Sequence, residues 1–226
     1  MKQNIDRISI QVGLSGYSFK IESDNGVHSS DWLSADRVFT TSEFQKRYDQ
    51  VELSVYTPKC TLVPQQFYST EVAHDLLSEV VALSDDEMVE SVALPEFNAV
   101  LVYSNKIGET LTRVISETVL CADGSKSRPL PVAYYMLKSL ADIKEYNKIL
   151  AAYMDGVLYL VLAQGSTLLL CNSFKAPDFT TAQYFIFLAL KKLQLNPEMS
   201  TITFMTKLDY EQEMSLYRYF RSVESI

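Results

Sequence analysis

The chain has 226 residues, of which 47% are hydrophobic and 21% charged, and its formal net charge at pH 7 is −8. This composition is that of an ordinary globular protein with one large domain or two small ones. The net negative charge and the scattered basic residues argue against a general nucleic-acid-binding protein, which needs clustered Lys and Arg to neutralise phosphates.

The cysteines and the terminal sequence exclude several other classes. Cys60, Cys121 and Cys171 are odd in number and widely spaced, so neither a disulfide framework nor a cysteine-type zinc site is predicted. The start, MKQNIDRISI, lacks the apolar region of a signal peptide. No stretch approaches the roughly 18 uninterrupted apolar residues of a membrane span. We therefore expect a cytoplasmic protein without membrane insertion.

Strand patterns separated by turn residues open the first half of the chain. Alternating apolar residues predict strands at Ile8–Val12, Tyr17–Glu22, Val27–Leu33 and Val51–Tyr56. Before the fourth strand, the capping-box spacing of Ser42 and Gln45 predicts a short helix to about Tyr48.

The remainder of this half begins with an amphipathic pattern. An apolar stripe predicts a helix over Thr70–Leu83. Two strands separated by Pro95 and a further helix are expected next, at Met88–Leu94, Phe97–Tyr103 and Ile107–Ser116. Residues 118–131 are polar and rich in turn formers, so we predict the boundary between two domains there, with domains 1–120 and 121–226.

The second half contains the strongest strand signals. Asn147–Met154, Val157–Ala163 and Thr167–Phe174 are predicted strands, joined by turns at Asp155-Gly156 and at Gly165. The other elements expected here are a helix over Val132–Ile143, a helix from the N-cap Asp178 to about Leu195, a strand at Thr201–Met205 and a helix over Tyr210–Arg221 that packs Met214, Tyr217 and Phe220.

Both halves therefore show the order β-β-β-α-β-α, with an extra strand pair after the first. This order resembles the ribonuclease H-like domain, and two such domains in tandem resemble the actin-like ATPase superfamily. The stretch LLLCNSF at 168–174, together with Val63-Pro64, is similar to an uncharacterised bacterial family of unknown function that is expected to have this fold. The fold class implied is α/β with mixed sheets.

The resemblance implies a phosphate-binding hairpin with an Asp-x-Gly sequence in each half. The corresponding sequences here are Gln11-Val12-Gly13 and Ala163-Gln164-Gly165, so both glycines match and both aspartates are missing. Either the glycines serve only the hairpins, or a vestigial anion site remains; its candidate residues are Gly13, Ser15, Gly16, Gly165 and Ser166. No catalytic residue, metal ligand or cofactor is predicted.

Other reactive arrangements are weak in this sequence. A ribonuclease H-type nuclease needs metal-binding carboxylates on its first strand, and neither Ile8–Val12 nor Leu158–Ala163 contains one. His28 and His74 are the only histidines, and His74 is expected on the surface. The acidic run Asp85–Glu87 is interpreted as a solvated turn.

Three functional hypotheses follow. The first is a non-catalytic actin-like scaffold, a degenerate ATPase that binds another protein. The alternative is a nucleotide-binding ATPase or kinase-like protein with an atypical phosphate or metal site. The third is an enzyme that uses the cleft between the domains for another small molecule. The helix containing the apolar run Tyr184–Leu190 is expected to pack between the two halves, with Phe187 at the joint.

Overall fold

The fold is described by a computed structural model over residues 6–24, 26–106 and 109–225. Its first part consists of short strands, in chain order β1 (Arg7–Val12), β2 (Gly16–Ser23), β3 (Gly26–Ser29), β4 (Leu33–Ser34), β5 (Arg47–Tyr48) and β6 (Gln50–Val55). The connection from β4 to β5 is made by two 3-10 helices, Ala35–Thr40 and Ser42–Gln45.

The middle of the chain mixes strands with short helices. Its elements are β7 (Cys60–Pro64), α1 (Ala73–Ser78), β8 (Glu90–Leu94), β9 (Ala99–Tyr103), α2 (Glu109–Thr118), β10 (Leu120–Cys121) and β11 (Pro129–Pro131). Single 3-10 turns lie at Gln65–Phe67, Thr70–Val72 and Pro95–Phe97.

The last part contains the longest elements. They are α3 (Val132–Ser139), β12 (Asn147–Met154), β13 (Val157–Gln164), β14 (Thr167–Lys175), α4 (Phe179–Lys192), β15 (Thr201–Phe204), α5 (Tyr210–Tyr217) and β16 (Ser222–Ser225). A 3-10 turn, Pro197–Met199, precedes β15.

The chain divides into two compact units that are each discontinuous in sequence. The first unit contains the chain up to Thr57 together with Leu83–Val89 and Ser104–Val132. The second contains Pro58–Ala82, Glu90–Tyr103 and the chain from Ala133 onward.

Each unit contains a mixed sheet of the same topology. The first sheet has the order β3-β2-β1-β6-β11, in which β1 is antiparallel to β2 and parallel to β6, and β11 is parallel to β6. The second has the order β14-β13-β12-β15-β16, with the same strand directions. The predicted α/β class with tandem ribonuclease H-like domains is therefore confirmed.

The 3-10 segment 35–45 covers one face of the first sheet, where an α-helix was expected up to Tyr48. The Oγ of Ser42 contacts Oε2 of Glu43, so the expected capping box does not form. The ring of Phe44, 1% exposed, instead packs 5.2 Å from Tyr17 and 5.6 Å from Phe19. The part that was expected to be α-helical, Ser42–Gln45, has only 4 residues, about one 3-10 turn, before the chain extends into β5.

The predicted helix Thr70–Leu83 is α-helical only over Ala73–Ser78. Ala73 and Leu77 are buried, and α1 lies against β9 and β7, whereas Val72 and Val80 are largely exposed. Only part of the stripe that predicted the longer helix, including Leu77, therefore faces the core. Its several valines also restrict side-chain freedom in a helix, which favours an early end.

Besides the two-residue strands β5 and β10, three strands were missed because they are short or contain proline. β7 and β11 include prolines, which remove a backbone N–H and are tolerated on edge strands. Both are edge strands, β7 in the antiparallel sheet β7-β9-β8 and β11 in the first mixed sheet. The segment 118–131, interpreted as a linker, therefore supplies the fifth strand of the first sheet. The third missed strand, β16, follows directly on α5.

The long helix α4 packs within the second unit. Asp178 caps it as predicted, with its Oδ1 accepting from the N–H of Thr181 at 2.7 Å. Its buried residues are Ala182, Ile186, Ala189 and Leu190. The aromatic residues of the apolar run are not all buried, because Tyr184 is 61% exposed. The ring of Phe187, which was expected at the joint between the halves, lies 4.9 Å from Tyr219 and 5.8 Å from Phe220.

Candidate functional site

The turn between β1 and β2 holds the predicted phosphate-loop residues of the first unit. The backbone N–H of Gly13 donates to the carbonyl of Gly16 at 2.9 Å and closes the turn. A Cβ at Gly16 would lie only 2.0 Å from the carbonyl oxygen of Leu33. Glycine at position 16 is therefore required by the close approach of Leu33, which accounts for it without any ligand.

Two aromatic side chains engage the polar groups at this turn. The Nε1–H of Trp32 donates to Oγ of Ser15 at 3.0 Å. The hydroxyl of Tyr56 donates to Oε1 of Gln11 at 3.1 Å. The two rings lie 6.4 Å apart. Gln11, in the position where the resemblance implies an aspartate, is thus a neutral side chain that is held by Tyr56.

The strand topology identifies a different turn of the second unit as the counterpart of the β1–β2 turn than the sequence did. β1 and β12 are the central strands of their sheets, and each forms an antiparallel hairpin with the next strand. The counterpart of the β1–β2 turn is therefore the β12–β13 turn, Asp155-Gly156. The sequence-based pairing of Gly13 with Gly165 is wrong, because Gly165 and Ser166 join β13 to β14 at the other end of β13.

The Asp155-Gly156 turn is a tight two-residue hairpin. Both residues have positive φ, 51° at Asp155 and 72° at Gly156, as the favoured hairpin turn requires. The carbonyl of Gly156 accepts from the N–H of Ala176 at 2.8 Å. A carboxylate is therefore present at this topological position, although the predicted Asp-x-Gly sequences lacked one.

Gly165 and Ser166 line a cavity of about 570 Å³ in the second unit. Gly165 has φ +55°, and its N–H donates to the carbonyl of Tyr146 at 2.8 Å. Apolar walls come from Phe97 and from α3 and the residues after it, Leu137, Leu140 and Ala141. The volume falls in the range of small-molecule sites.

The charged groups of the cavity are two lysines and one glutamate. Nζ of Lys138 lies 2.6 Å from Oε1 of Glu96. Partial burial opposes ionisation of Glu96, but the hydrogen bonds from Lys138 and from its own backbone outweigh it, so the pKa of this carboxyl is lowered. The hydrogen bond to Glu96 raises the pKa of Lys138. Nζ of Lys148 donates to the carbonyl of Leu140 just beyond α3.

Sequence reasoning missed three features of these sites. The roles of Trp32 and Tyr56 depend on contacts made across 17 and 45 positions, which no local pattern signals. Asp155 was assigned only as a hairpin residue, although strand order would have identified its turn as the counterpart of Gly13. The cavity brings together a 3-10 turn, the end of a helix and a hairpin, which are far apart in sequence.

The other titratable residues considered from the sequence are His74 and the acidic run Asp85–Glu87, and the structure shows the surroundings of each. His74 is exposed, as predicted, with its side chain 54% accessible beside Asp75. Within the acidic run, Asp86 pairs with Lys106. Glu87, expected in solvent, is only 5% exposed and accepts hydrogen bonds from Ser84. The interpretation of the whole run as solvated is therefore wrong.

The described residues contain neither a candidate metal site nor a candidate membrane helix. No three His, Cys, Asp or Glu side chains in that part of the chain are grouped so as to hold a metal ion. Across residues 6–24, 26–106 and 109–225, no helix combines the length and the apolar character that crossing a bilayer requires.

Solved structures with a similar fold cover nearly the whole chain. A Bacteroides thetaiotaomicron VPI-5482 protein with an actin-like ATPase fold and unknown function has a TM-score of 0.72 and 17% identity, covering 100% of this chain and 92% of that one. The PilM–PilN type IV pilus biogenesis complex matches with a TM-score of 0.50 and 10% identity, covering 98% of this chain and 88% of that one. At these identities the likeness shows the fold alone.

No curated protein matches the chain. The strand order of both sheets and the solved structures agree on an actin-like ATPase fold. The model of the family described as "Protein of unknown function (DUF3822)" matches residues 6–223, and the chain belongs to that family.

Proposed function

We propose that this protein is a non-catalytic actin-like module that binds another protein. The main support for the proposal is that polar groups at the β1–β2 turn form hydrogen bonds within the protein. The N–H of Gly13 donates to Gly16, Ser15 accepts from Trp32, and Gln11 accepts from Tyr56. A phosphate loop instead needs backbone N–H groups directed at the ligand and a charge that positions Mg²⁺.

An exposed apolar stripe on α5 supports the protein-binding part of the proposal. Tyr210, Met214 and Tyr217, at positions i, i+4 and i+7, are 76%, 43% and 43% exposed. They lie on one side of the helix, whereas the buried residue of α5 is Leu216. Met214 and Tyr217 were expected in the core, so their exposure is a finding of the structure. Aromatic residues and methionine are enriched at protein interfaces.

A similar fold occurs in a protein assembly. The PilM–PilN structure is a type IV pilus biogenesis complex, so a protein with this general fold takes part in protein–protein contacts there. This relationship supports a binding role for the present chain and does not identify its partner.

The binding role is tested by crosslinking in extracts of the native host. A photoreactive phenylalanine analogue replaces Met214 on the stripe, and in a matched control it replaces the exposed Lys192 of α4. We expect a specific crosslinked protein from position 214 that is absent from position 192 and is lost in the Tyr210→Ser/Tyr217→Ser variant. Equal products at both positions would contradict the proposed surface.

The non-catalytic part is tested by thermal unfolding with Mg-ATP. A ligand at about 100 times its dissociation constant adds ~2.7 kcal/mol of stability to the native state. We expect no shift of the transition at millimolar Mg-ATP and no phosphate release. A saturable stabilisation would contradict this part of the proposal.

The second candidate is a nucleotide-binding protein with an atypical phosphate site. The specific observation in its favour is Asp155, a carboxylate in the turn that is the topological counterpart of the β1–β2 turn. If Mg-ATP stabilises the protein, the Asp155→Asn variant tests whether this stabilisation depends on the Asp155 carboxylate. Loss of the Mg²⁺ dependence in this variant would favour the second candidate.

A further inference from the structure

The cavity beside the β13–β14 turn contains a lysine whose charge is not balanced by a carboxylate. Lys148 is half-buried at the start of β12, and its ammonium donates to the neutral carbonyl of Leu140. No carboxylate in the part of the chain that the structure describes forms an ion pair with it. An ammonium has three donors, so two remain beyond the bond to Leu140.

The other lysine of the cavity is already neutralised. Lys138 pairs with Glu96 and also lies 5.7 Å from the centre of the Tyr134 ring. The Lys138–Glu96 pair therefore contributes little net charge, and Lys148 sets the charge of the cavity. This positive site lies in a chain whose formal net charge is −8, so it is not part of a general cationic surface.

The walls of the cavity determine the chemical character of the rest of a ligand whose anionic group pairs with Lys148. Leu137 and Leu140 are buried, and Phe97 and Ala163 complete an apolar lining. Ala141 and Ser166 are exposed at the rim, so the cavity is open to solvent there. A ligand of this site needs an apolar body for the walls and one anionic group for Lys148. Polyanions such as nucleotides fit poorly, because Glu96 lines the same cavity.

We propose that the cavity formed by the end of α3, the Pro95–Phe97 turn and the β13–β14 hairpin binds a small carboxylic acid with an apolar body, whose carboxylate pairs with Lys148. None of its lining residues belongs to the β1–β2 turn or to the Asp155-Gly156 turn, and the latter lies at the opposite end of β13. The cavity is therefore independent of the proposed loss of ATP chemistry.

The test compares three probes that share one apolar body. They are 4-phenylbutyrate, 4-phenylbutanol and 4-phenylbutylamine, titrated into the full chain and followed by NMR shift changes of the amides of Gly165 and Ser166. A hydrogen bond to a charged group predicts that the carboxylate binds about tenfold more tightly than the alcohol. The amine is expected to bind most weakly, because it carries the same charge as Lys148.

Four variants test whether the preference for the carboxylate over the alcohol arises in this cavity. Lys148→Met is expected to remove the roughly tenfold preference for the carboxylate, and Lys148→Arg, which retains the charge, to keep it. Ala141→Trp at the rim fills the opening and should weaken all three probes. Lys191→Met, an exposed lysine of α4, is the matched control and should change nothing.

Three outcomes would overturn the proposal. They are equal affinities for the carboxylate and the alcohol, an unchanged preference in a folded Lys148→Met protein, and no binding of the carboxylate at about 10 mM. A ligand efficiency of about −0.3 kcal/mol per non-hydrogen atom corresponds to a Kd of a few millimolar for this probe, so binding at that concentration is expected. Because Lys148 also bonds to Leu140, far-UV CD of the Lys148→Met and Lys148→Arg variants checks that both keep the overall secondary structure of the wild type. If Lys148→Met does not fold, Ala141→Trp and the comparison of the three probes still decide the matter.

Discussion

The hydroxyl of Tyr56 donates to Oε1 of Gln11 at 3.1 Å, and this bond joins the residue after β6 to the neighbouring strand β1. The bond occupies the side chain at the position where a phosphate-binding member of the superfamily is expected to carry an aspartate. The side chain at position 11 therefore serves the structure of the sheet, through Tyr56, instead of binding a phosphate or metal ion.

Removal of this bond is expected to cost stability. Tyr56→Phe keeps the ring beside Trp32 and deletes only the donor to Gln11. We expect the free energy of unfolding to fall by about 1 kcal/mol, the typical net value of such a bond. Urea unfolding followed by Trp32 fluorescence measures it. Tyr184→Phe, at an exposed position, is the control and should shift by less than ~0.5 kcal/mol.

Gly16 is expected to be intolerant of any side chain. A Cβ there would meet the Leu33 carbonyl oxygen at 2.0 Å, so Gly16→Ala must displace backbone. We expect a loss of at least ~4 kcal/mol or failure to fold. The control is Gly124→Ala, where φ is +83° but no atom lies within 4 Å, and the cost should be ~1–2 kcal/mol. If both variants lose a similar amount of stability, the positive φ at position 16, and not the contact with Leu33, explains the need for glycine there.

The aromatic contact between α4 and the segment that follows α5 is expected to stabilise the second unit. Phe187 is partly buried and packs on Phe220 and Tyr219, so Phe187→Ala should cost about 3 kcal/mol, the lower end for a buried phenylalanine. Tyr184→Ala on the exposed side of the same helix should cost less than ~1 kcal/mol. Denaturant unfolding followed by far-UV CD compares the two. Equal costs would mean that the contacts with Tyr219 and Phe220 contribute nothing beyond helix propensity.

Two thiols are expected to react slowly in the native protein. Burial raises the pKa of Cys60 to about 12. Burial, and then the proximity of Cys60, raises the pKa of Cys171. Iodoacetamide reacts with the thiolate, so at pH 8 the native Cys60 should be modified on the order of a thousandfold more slowly than in urea. Peptide mass spectrometry at several pH values measures it. Native rates close to those in urea would contradict the assigned surroundings of both thiols.

The sequence was most informative where periodicity and turn chemistry agreed. The strands β12, β13 and β14 were predicted within a residue or two, because long apolar runs alternate with turns such as Asp155-Gly156. The short edge strand β11 was missed because its two prolines resemble a linker, and only its pairing with β6 makes it a strand. Local patterns carry no information on such pairings.

The candidate site was harder to predict than the fold. Gly13 and Gly165 were paired because both follow an apolar strand, whereas the correct pairing depends on which strand is central in each sheet. The engagement of Gln11 by Tyr56, and of Ser15 by Trp32, depends on tertiary contacts. Lys148 gave no signal in the sequence, because its significance comes from the apolar walls around it.

Calorimetric titration with Mg-ATP measures directly whether the protein has lost nucleotide binding. Because Gln11 is neutral and held by Tyr56, we expect no binding heat up to millimolar Mg-ATP in the wild-type protein. Micromolar binding that disappears in Gly13→Val and weakens in Asp155→Asn would contradict this expectation and would establish a nucleotide-binding protein instead.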